Sequence, residues 1–419
     1  MGIFSYFSAS AKELRFRITR SSKTAPIDSH EECKDLKEIW DSFVDAFVGT
    51  LHAQGGSGCA TDPSKKTKKL RTNGGLWKER VGRLYAIGDV HGDLRKTREA
   101  FRACGMTDAS DRWCGGDSTV VQVGDQLDRG PDEVAVMYFL ERVAEEAELA
   151  GGEVVQLLGN HETLNMSGRF RYATKEGSAD FTRWRDRQKI GMEMKKMCFG
   201  KTIEKRYGNK DEPNLCKFET GEKKHQQLPS WIQDEQSHEA NRWRALCPGG
   251  EFTKRFFARQ NVAQIVGSTL FVHAGVLEHH ALYGLENINE DIKQWALKAD
   301  NPRGVPPAHV QTDQSIVWAR DYAHTNEDQC DCSKLERALS FLPGVERVVV
   351  GHTIQQSGGG ATAACNGKVI RVDVGMSRGC GGNVSEGVEI LNDGEKITRL
   401  VFEKGRTKMT GVPDEKANL

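Results

Sequence analysis

The chain is expected to fold as an α/β protein in which two β-sheets pack face to face with helices outside. Three observations predict this. From Arg83 the pattern runs strand, helix, strand, helix, strand, the signature of parallel pairing with crossover helices. Five apolar runs then end in the same way, in a loop that carries Asp, Asn or His. Towards the C-terminus, KVIRVDVGM and VEILNDGEKITRLVF alternate like antiparallel strands, with Asn392-Asp393-Gly394 as a hairpin turn.

The first 27 residues are basic with scattered aromatics, and no apolar stretch in them is long enough for a secretory signal. Arg15, Arg17 and Arg20 alternate with Leu14, Phe16 and Ile18, so organelle targeting, for instance to a mitochondrion, is the alternative to a cytoplasmic default. Gly2 lacks the Ser or Thr at position 6 that myristoylation wants, where Tyr6 stands. Residues 28–51 are expected to form an amphipathic helix: Ser29 and Glu32 have the spacing of a capping box, and Leu36, Ile39, Trp40, Phe43, Val44, Phe47, Val48 and Leu51 recur at helical spacing. That stripe is expected to pack on the main domain; if it binds a partner instead, nothing in it says which. Residues 52–79 follow as a Gly, Ser and Lys-rich linker.

The main domain is expected over 80–402, with helices at Leu94 to Ala103 and from Pro131 to Leu149. Residues 163–268 read as a helical and irregular insertion near the site, within which 200–250 mixes Gly, Pro and charge without clean periodicity. Beyond it lie helices at Leu285 to Lys298 and Ser333 to Phe341, and 403–419 remain as a C-terminal tail.

Composition narrows the classes of function. Lys plus Arg and Asp plus Glu both number 59, so no basic balance asks for nucleic acid. No run of about 18 apolar residues would span a membrane. Eleven cysteines without a CxxC pair argue against a zinc knuckle or a fully paired secreted framework. A reducing compartment is the default, although Cys33, Cys330 and Cys332 are placed for a regulatory disulfide.

The chemistry sits at the strand ends. LYAIGDVHGD presents Asp89 and His91, VVQVGDQLDRG presents Asp125, and VVQLLGNHE presents Asn160. FVHAG adds His273 and VVVGHT adds His352. Carboxylate, amide and imidazole ligands without thiolates suit Mn, Fe, Zn or Mg, and an aspartate between two such motifs can bridge two ions, which makes Asp125 the candidate bridge. Arg129 and Arg320 are planar donors suited to phosphate oxygens. His161 can protonate a leaving oxygen, with Asp128 as its orienting carboxylate.

GDVHGD, GDQLDRG, GNHE, HAG and GHT, in this order, resemble the calcineurin-like metallophosphoesterase superfamily and its phosphoprotein phosphatase family. GNHETLNMSGRFRYATKEG, VVVGHTIQ and RVDVGMSRGC further resemble the Shewanella-like branch. The resemblance covers about residues 80–402 and implies the four-layer αββα fold of that superfamily, a central β-sandwich flanked by helices. It also implies two divalent metal ions (Mn, Fe or Zn) and hydrolysis of phosphoprotein monoesters by a metal-bridging hydroxide. Carried onto this sequence, one metal takes Asp89, His91 and Asp125, and the other takes Asp125, Asn160, His273 and His352. Phosphate contacts fall on Arg129, Asn160 and Arg320, with His161 as acid and Asp128 behind it. No match exists to the C-terminal toxin-binding loop of eukaryotic members, so okadaic acid or microcystin sensitivity is not implied.

Phosphoserine and phosphothreonine are the expected substrates. A phosphotyrosine substrate, a nucleotide or dinucleoside polyphosphate, and a non-catalytic scaffold are the alternatives. A nuclease or phosphodiesterase usually carries a final GHxH, and Ile354 occupies the place of its second histidine.

Overall fold

The computed structural model describes residues 75–79, 81–188, 228–298, 305–323, 330–355 and 360–412. The N-terminal tail, the segment expected to form an amphipathic helix, with Cys33, and most of the linker lie outside them.

Two six-stranded sheets form the centre. The first has the order β12-β11-β10-β2-β3-β4. Here β2 (Arg83–Ile87), β3 (Thr119–Gln122) and β4 (Glu153–Gln156) run parallel, and β10 (Ser385–Leu391), β11 (Lys396–Glu403) and β12 (Arg406–Gly411) form an antiparallel meander joined to β2. The second sheet has the order β1-β5-β6-β7-β9-β8. It combines β1 (Trp77–Lys78), β5 (Ala263–Val266), β6 (Thr269–Val272), β7 (Arg347–Val350), β8 (Thr362–Ala364) and β9 (Val369–Arg371).

Period-two alternation explains how the sheets stack. In β7, Val349 points into the cluster that holds Ile87, Val121 and Val155 of the first sheet, while Val348 and Val350 point the other way, into a helical layer with Ile288, Ile292 and Trp295. Phe271 of β6 divides from Leu270 and Val272 in the same manner. Each strand is therefore apolar on both faces, as a sheet covered on both sides requires.

The helices largely follow expectation. Asp93 caps Leu94–Ala103 through Lys96 N, and Asp331 caps Cys332–Ser340 through Lys334 N. The second core helix runs Glu133–Leu149 rather than from Pro131, with Asp132 at its N-cap, and the next ones are Leu285–Leu297 and Cys332–Ser340.

Three expectations shift. Trp77 and Lys78, read as linker, pair with Ile265 and Val266 of β5. Residues 403–412, read as tail, contain β12, whose pairing with β11 was hidden because its exposed sequence RTKMTG has no apolar face. The run KVIRVDVGM forms a strand, β9, that is parallel to β7 and antiparallel only to β8; local alternation cannot reveal strand direction. Cys332 and Cys365 form a disulfide, which ties the Cys332–Ser340 helix to the end of β8.

Candidate active site

The parallel strands β2, β3 and β4 deliver their carboxyl ends side by side, and β6 and β7 bring theirs to the same edge from the other sheet. The sheets nearly touch there. A Cβ on Gly88 would lie 2.1 Å from the Val372 carbonyl oxygen beyond β9, so only glycine lets the β2 turn approach the second sheet. His91, Asp125, Asp128, Arg129 and His352 all adopt positive φ, a concentration of backbone strain in residues that carry the motifs.

Asp125 is at the focus. Its Oδ1 accepts from His161 N at 3.0 Å, and its Oδ2 faces Nε2 of His273 at 3.3 Å and of His91 and His161 at 3.7 Å each. Asp89 Oδ2 lies 3.9 Å from His91 Nε2, and the Asp89 carboxylate accepts from His352 N. Asn160 Oδ1 lies 2.9 Å from His273 Nε2. His91 Nδ1 donates to the Leu127 carbonyl and His273 Nδ1 to the Val123 carbonyl, both at 2.9 Å, which turns each Nε2 inward.

These residues fit a dimetal centre. His352 Nε2 is buried without any hydrogen-bond partner, yet its ring stands 5.1 Å from that of His273. Among the described residues, two groups hold ligand atoms within 4.8 Å of one another: His91, Asp125 and His161, and Asp125, His273 and His352. Asp125 belongs to both. Proton affinities follow the crowding. Burial pushes Asp125 up, but the three facing imidazoles outweigh it and hold the carboxyl well below its usual range. Burial, with Asp373 and Asp125 nearby, raises Asp89 well above its usual range, and burial lowers His91 to about 4.

His161 is held by Asp128: Nδ1 lies 2.6 Å from Asp128 Oδ2, and the ring packs 4.8 Å from Tyr172. Burial disfavours its imidazolium, but Asp125 and Asp128 more than compensate, so the pKa rises. The Arg129 guanidinium lies 5.0 Å over the Tyr172 ring. Arg320 is exposed and tethered at the rim by Thr353 Oγ1 at 2.6 Å and by the His352 carbonyl. All ten residues singled out in the sequence thus belong to one connected neighbourhood.

Three further residues escaped the sequence reading. Glu162, inside the GNHE motif, accepts from the backbone N–H groups of Asp125, Gln126, Leu127 and Gly159 and so braces the β3 loop. Asp373 sits beside Asp89, and burial holds its carboxyl up at about 6; its signal was the Asp inside RVDVGM, just past a strand. Arg242, fully buried in the helix His238–Leu246 of the insertion, reaches Asp128. No motif marks it. Residues 189–227 of the insertion lie outside the described ones, and the part that is described packs as a core, with Phe181, Trp184 and Phe252 in edge-on contacts.

Beside this centre lies an open cavity of about 690 Å³ lined by Phe170, Arg171, Trp231, Thr312 and Trp318. The Trp318 ring stands 5.5 Å from that of His352.

The calcineurin-like phosphoesterase family matches residues 82–356. The chain is 41% identical over 389 residues to Shewanella-like protein phosphatase 2 of Arabidopsis thaliana, covering 92% of this chain and 94% of that protein. A shorter match, 36% over 91 residues, joins it to Shewanella-like protein phosphatase 1 of Plasmodium berghei, covering 22% of this chain and 25% of that one. In structure it is similar to the cold-active protein-tyrosine phosphatase of a psychrophilic Shewanella, with a TM-score of 0.51, 19% identity, and coverage of 84% and 88% of the two chains. At that identity the likeness establishes the fold. Matched over most of its length by sequence and carrying the Asp and His groups of a metal site, this chain is a phosphoesterase hydrolase of the calcineurin-like family and belongs to its Shewanella-like protein phosphatases.

Proposed function

We propose that the protein hydrolyses phosphoserine and phosphothreonine esters of proteins at a two-metal centre. Asp89, His91 and Asp125 would hold one ion, and Asp125, Asn160, His273 and His352 the other. The nitrogen and oxygen donor set favours Mn, Fe or Zn. Two such ions, when bound, lower the pKa of water and neutralise charge on the phosphoryl group.

The remaining steps fall to side chains. Arg129 and Arg320 bind equatorial phosphate oxygens, with the Asn160 amide as a further contact. Arg129 is steadied by the Tyr172 ring, and Arg320 by Thr353. His161 donates Nδ1–H to Asp128, whose negative charge favours the imidazolium; in that form Nε2 also carries a proton, which goes to the departing oxygen.

The buried Asp128–His161 pair is the observation that carries the choice of substrate. An aliphatic alkoxide leaves poorly without a proton, whereas a phenolate needs one much less, so a buried Asp128–His161 pair 2.6 Å apart serves serine and threonine esters most. Phosphotyrosine is the second reading, favoured by the aromatic flanks of the centre, Tyr172 beside His161 and Trp318 beside His352.

Matched phosphopeptides that differ only in the phosphorylated residue test this with metal-loaded protein. Faster turnover of phosphoserine and phosphothreonine is expected. A strong preference for phosphotyrosine would reverse the choice, and cleavage of dinucleoside polyphosphates without any phosphopeptide would overturn the function.

A further inference from the structure

We propose that Arg242 is a positioning residue for proton delivery: it fixes the Asp128 carboxylate so that one of its oxygens always faces His161. The inference rests on the role proposed above for His161.

A fully buried guanidinium is costly unless it is completely paired. Every nitrogen of Arg242 has a partner, supplied by three residues. Its Nη1 and Nη2 grip the Glu133 carboxylate bidentately at 2.8 and 2.7 Å, Nη2 also donates to Asp128 Oδ1 at 2.8 Å, and Nε donates to Asn165 Oδ1 at 2.8 Å. The guanidinium lies 4.9 Å over the Phe181 ring and 5.5 Å over that of Phe170.

The Asp128 side of the network is what points to positioning. Oδ1 is taken by Arg242, while Oδ2 accepts from Asn165 Nδ2 at 3.0 Å and from His161 Nδ1 at 2.6 Å. Asn165 completes the frame: its oxygen receives Arg242, so its amide nitrogen must face Asp128. Rotating the carboxylate would break three hydrogen bonds at once. Glu133, the far anchor, is itself clamped. A Cβ on Gly177 would lie 2.1 Å from Glu133 Oε1, and one on Gly92 would lie 2.8 Å from its Cγ. A bidentate pair with Glu133 ties the insertion to the Glu133–Leu149 helix but leaves Nε and an Nη2 N–H to be taken up, and the acceptors placed for them are Asn165 and Asp128. The additional bonds, direct and through Asn165, connect that pair to the partner of the acid.

The test compares two esters on full-length, metal-loaded protein: p-nitrophenyl phosphate, whose leaving group needs little protonation, and phenyl phosphate, whose leaving group needs more. Arg242→Lys keeps the charge but loses the planar fork. It is expected to lower kcat on phenyl phosphate by about tenfold while changing kcat on p-nitrophenyl phosphate by less than about threefold, with KM held. In an Asp128→Asn background the same substitution should leave the ratio of the two rates unchanged. Equal losses on both esters, or a ratio that falls further in the Asp128→Asn background, would overturn the proposal and leave Arg242 a structural tie. Should Arg242→Lys fail to fold, Asn165→Ala removes the bridge without stranding a buried charge and is read by the same criteria. His161→Asn on the same esters separates the two levels. If it discriminates between them and the Arg242 and Asn165 variants do not, only this inference fails; if it does not, the acid role and this inference fall together.

Discussion

The strand-end loops and the insertion helix His238–Leu246 both converge on Asp128, and they reach it by opposite routes. In the loops, groups a few residues apart are aimed by the backbone: Asp125, Asp128 and Arg129 all sit at positive φ in one turn after β3, and Glu162 locks that turn through backbone N–H groups. In the insertion a single side chain, Arg242, is carried to Asp128 from 114 residues away by packing around Phe181 and Phe170. A loop of the first kind can be damaged by any change of backbone or ligand, whereas the second is vulnerable only where the packed side chain ends.

The largest effect is expected at the focus of the loops. Asp125→Asn should lower kcat by about a thousandfold and release metal from both positions, since one carboxylate faces both groups of ligands. Elemental analysis beside turnover checks it; retention of two ions with most of the activity would break the bridge assignment. His161→Asn should cost about a hundredfold or more on phosphoserine and much less on p-nitrophenyl phosphate. Rates on the two substrates decide, and an equal loss would give His161 another role.

Next come the proposed phosphate contacts. Arg320→Ala should reduce kcat/KM by roughly ten- to a hundredfold, the worth of about 1.5 to 3 kcal/mol for a charged hydrogen bond, with the thermal midpoint little changed because the side chain is exposed. Steady-state kinetics with calorimetry tests both halves. Gly159→Ala sharpens the contrast between backbone and packing. Its Cβ would fall 2.2 Å from Asp125 Oδ1 and 2.6 Å from Asp125 N, so overpacking of about 1 to 3 kcal/mol should displace both the carboxylate and its backbone, and activity should drop further than stability.

The smallest effect on activity is expected from reducing Cys332–Cys365. Closing a separation of 33 residues constrains the unfolded chain by at most about 4 kcal/mol in the loop-entropy treatment, so dithiothreitol should lower the melting temperature. Turnover of a small ester below that temperature should persist. A loss of turnover there would mean that the crosslink also holds the site.

How much was legible differs between the two regions for the same reason. The strand-end pattern, an apolar run, then glycine, then a ligand, is local, and parallel pairing guarantees that such ends gather at one edge of a sheet. The convergence of Asp89, His91, Asp125 and Asn160 could therefore be expected from their neighbours in the chain, whereas the arrival of His273 and His352 beside them depends on how the second sheet packs. Glu162 was within reach by the same logic, since it stands two residues after Asn160, but its role is to accept backbone N–H groups whose direction only the folded turn defines.

The sequence alone determined the strand ends, the order of the motifs and the chemical type of the side chain at each of them, because these depend on short-range periodicity and on the identity of the side chains. Only the tertiary structure decided the parallel placement of β9, the pairing of β12, the approach of Asp373 to Asp89, and the burial of Arg242 against Asp128. All but β12 join segments separated in the chain; β12 follows β11 directly and lacks only an apolar face that would announce it, and a buried charge becomes intelligible only when the partners that neutralise it are in view.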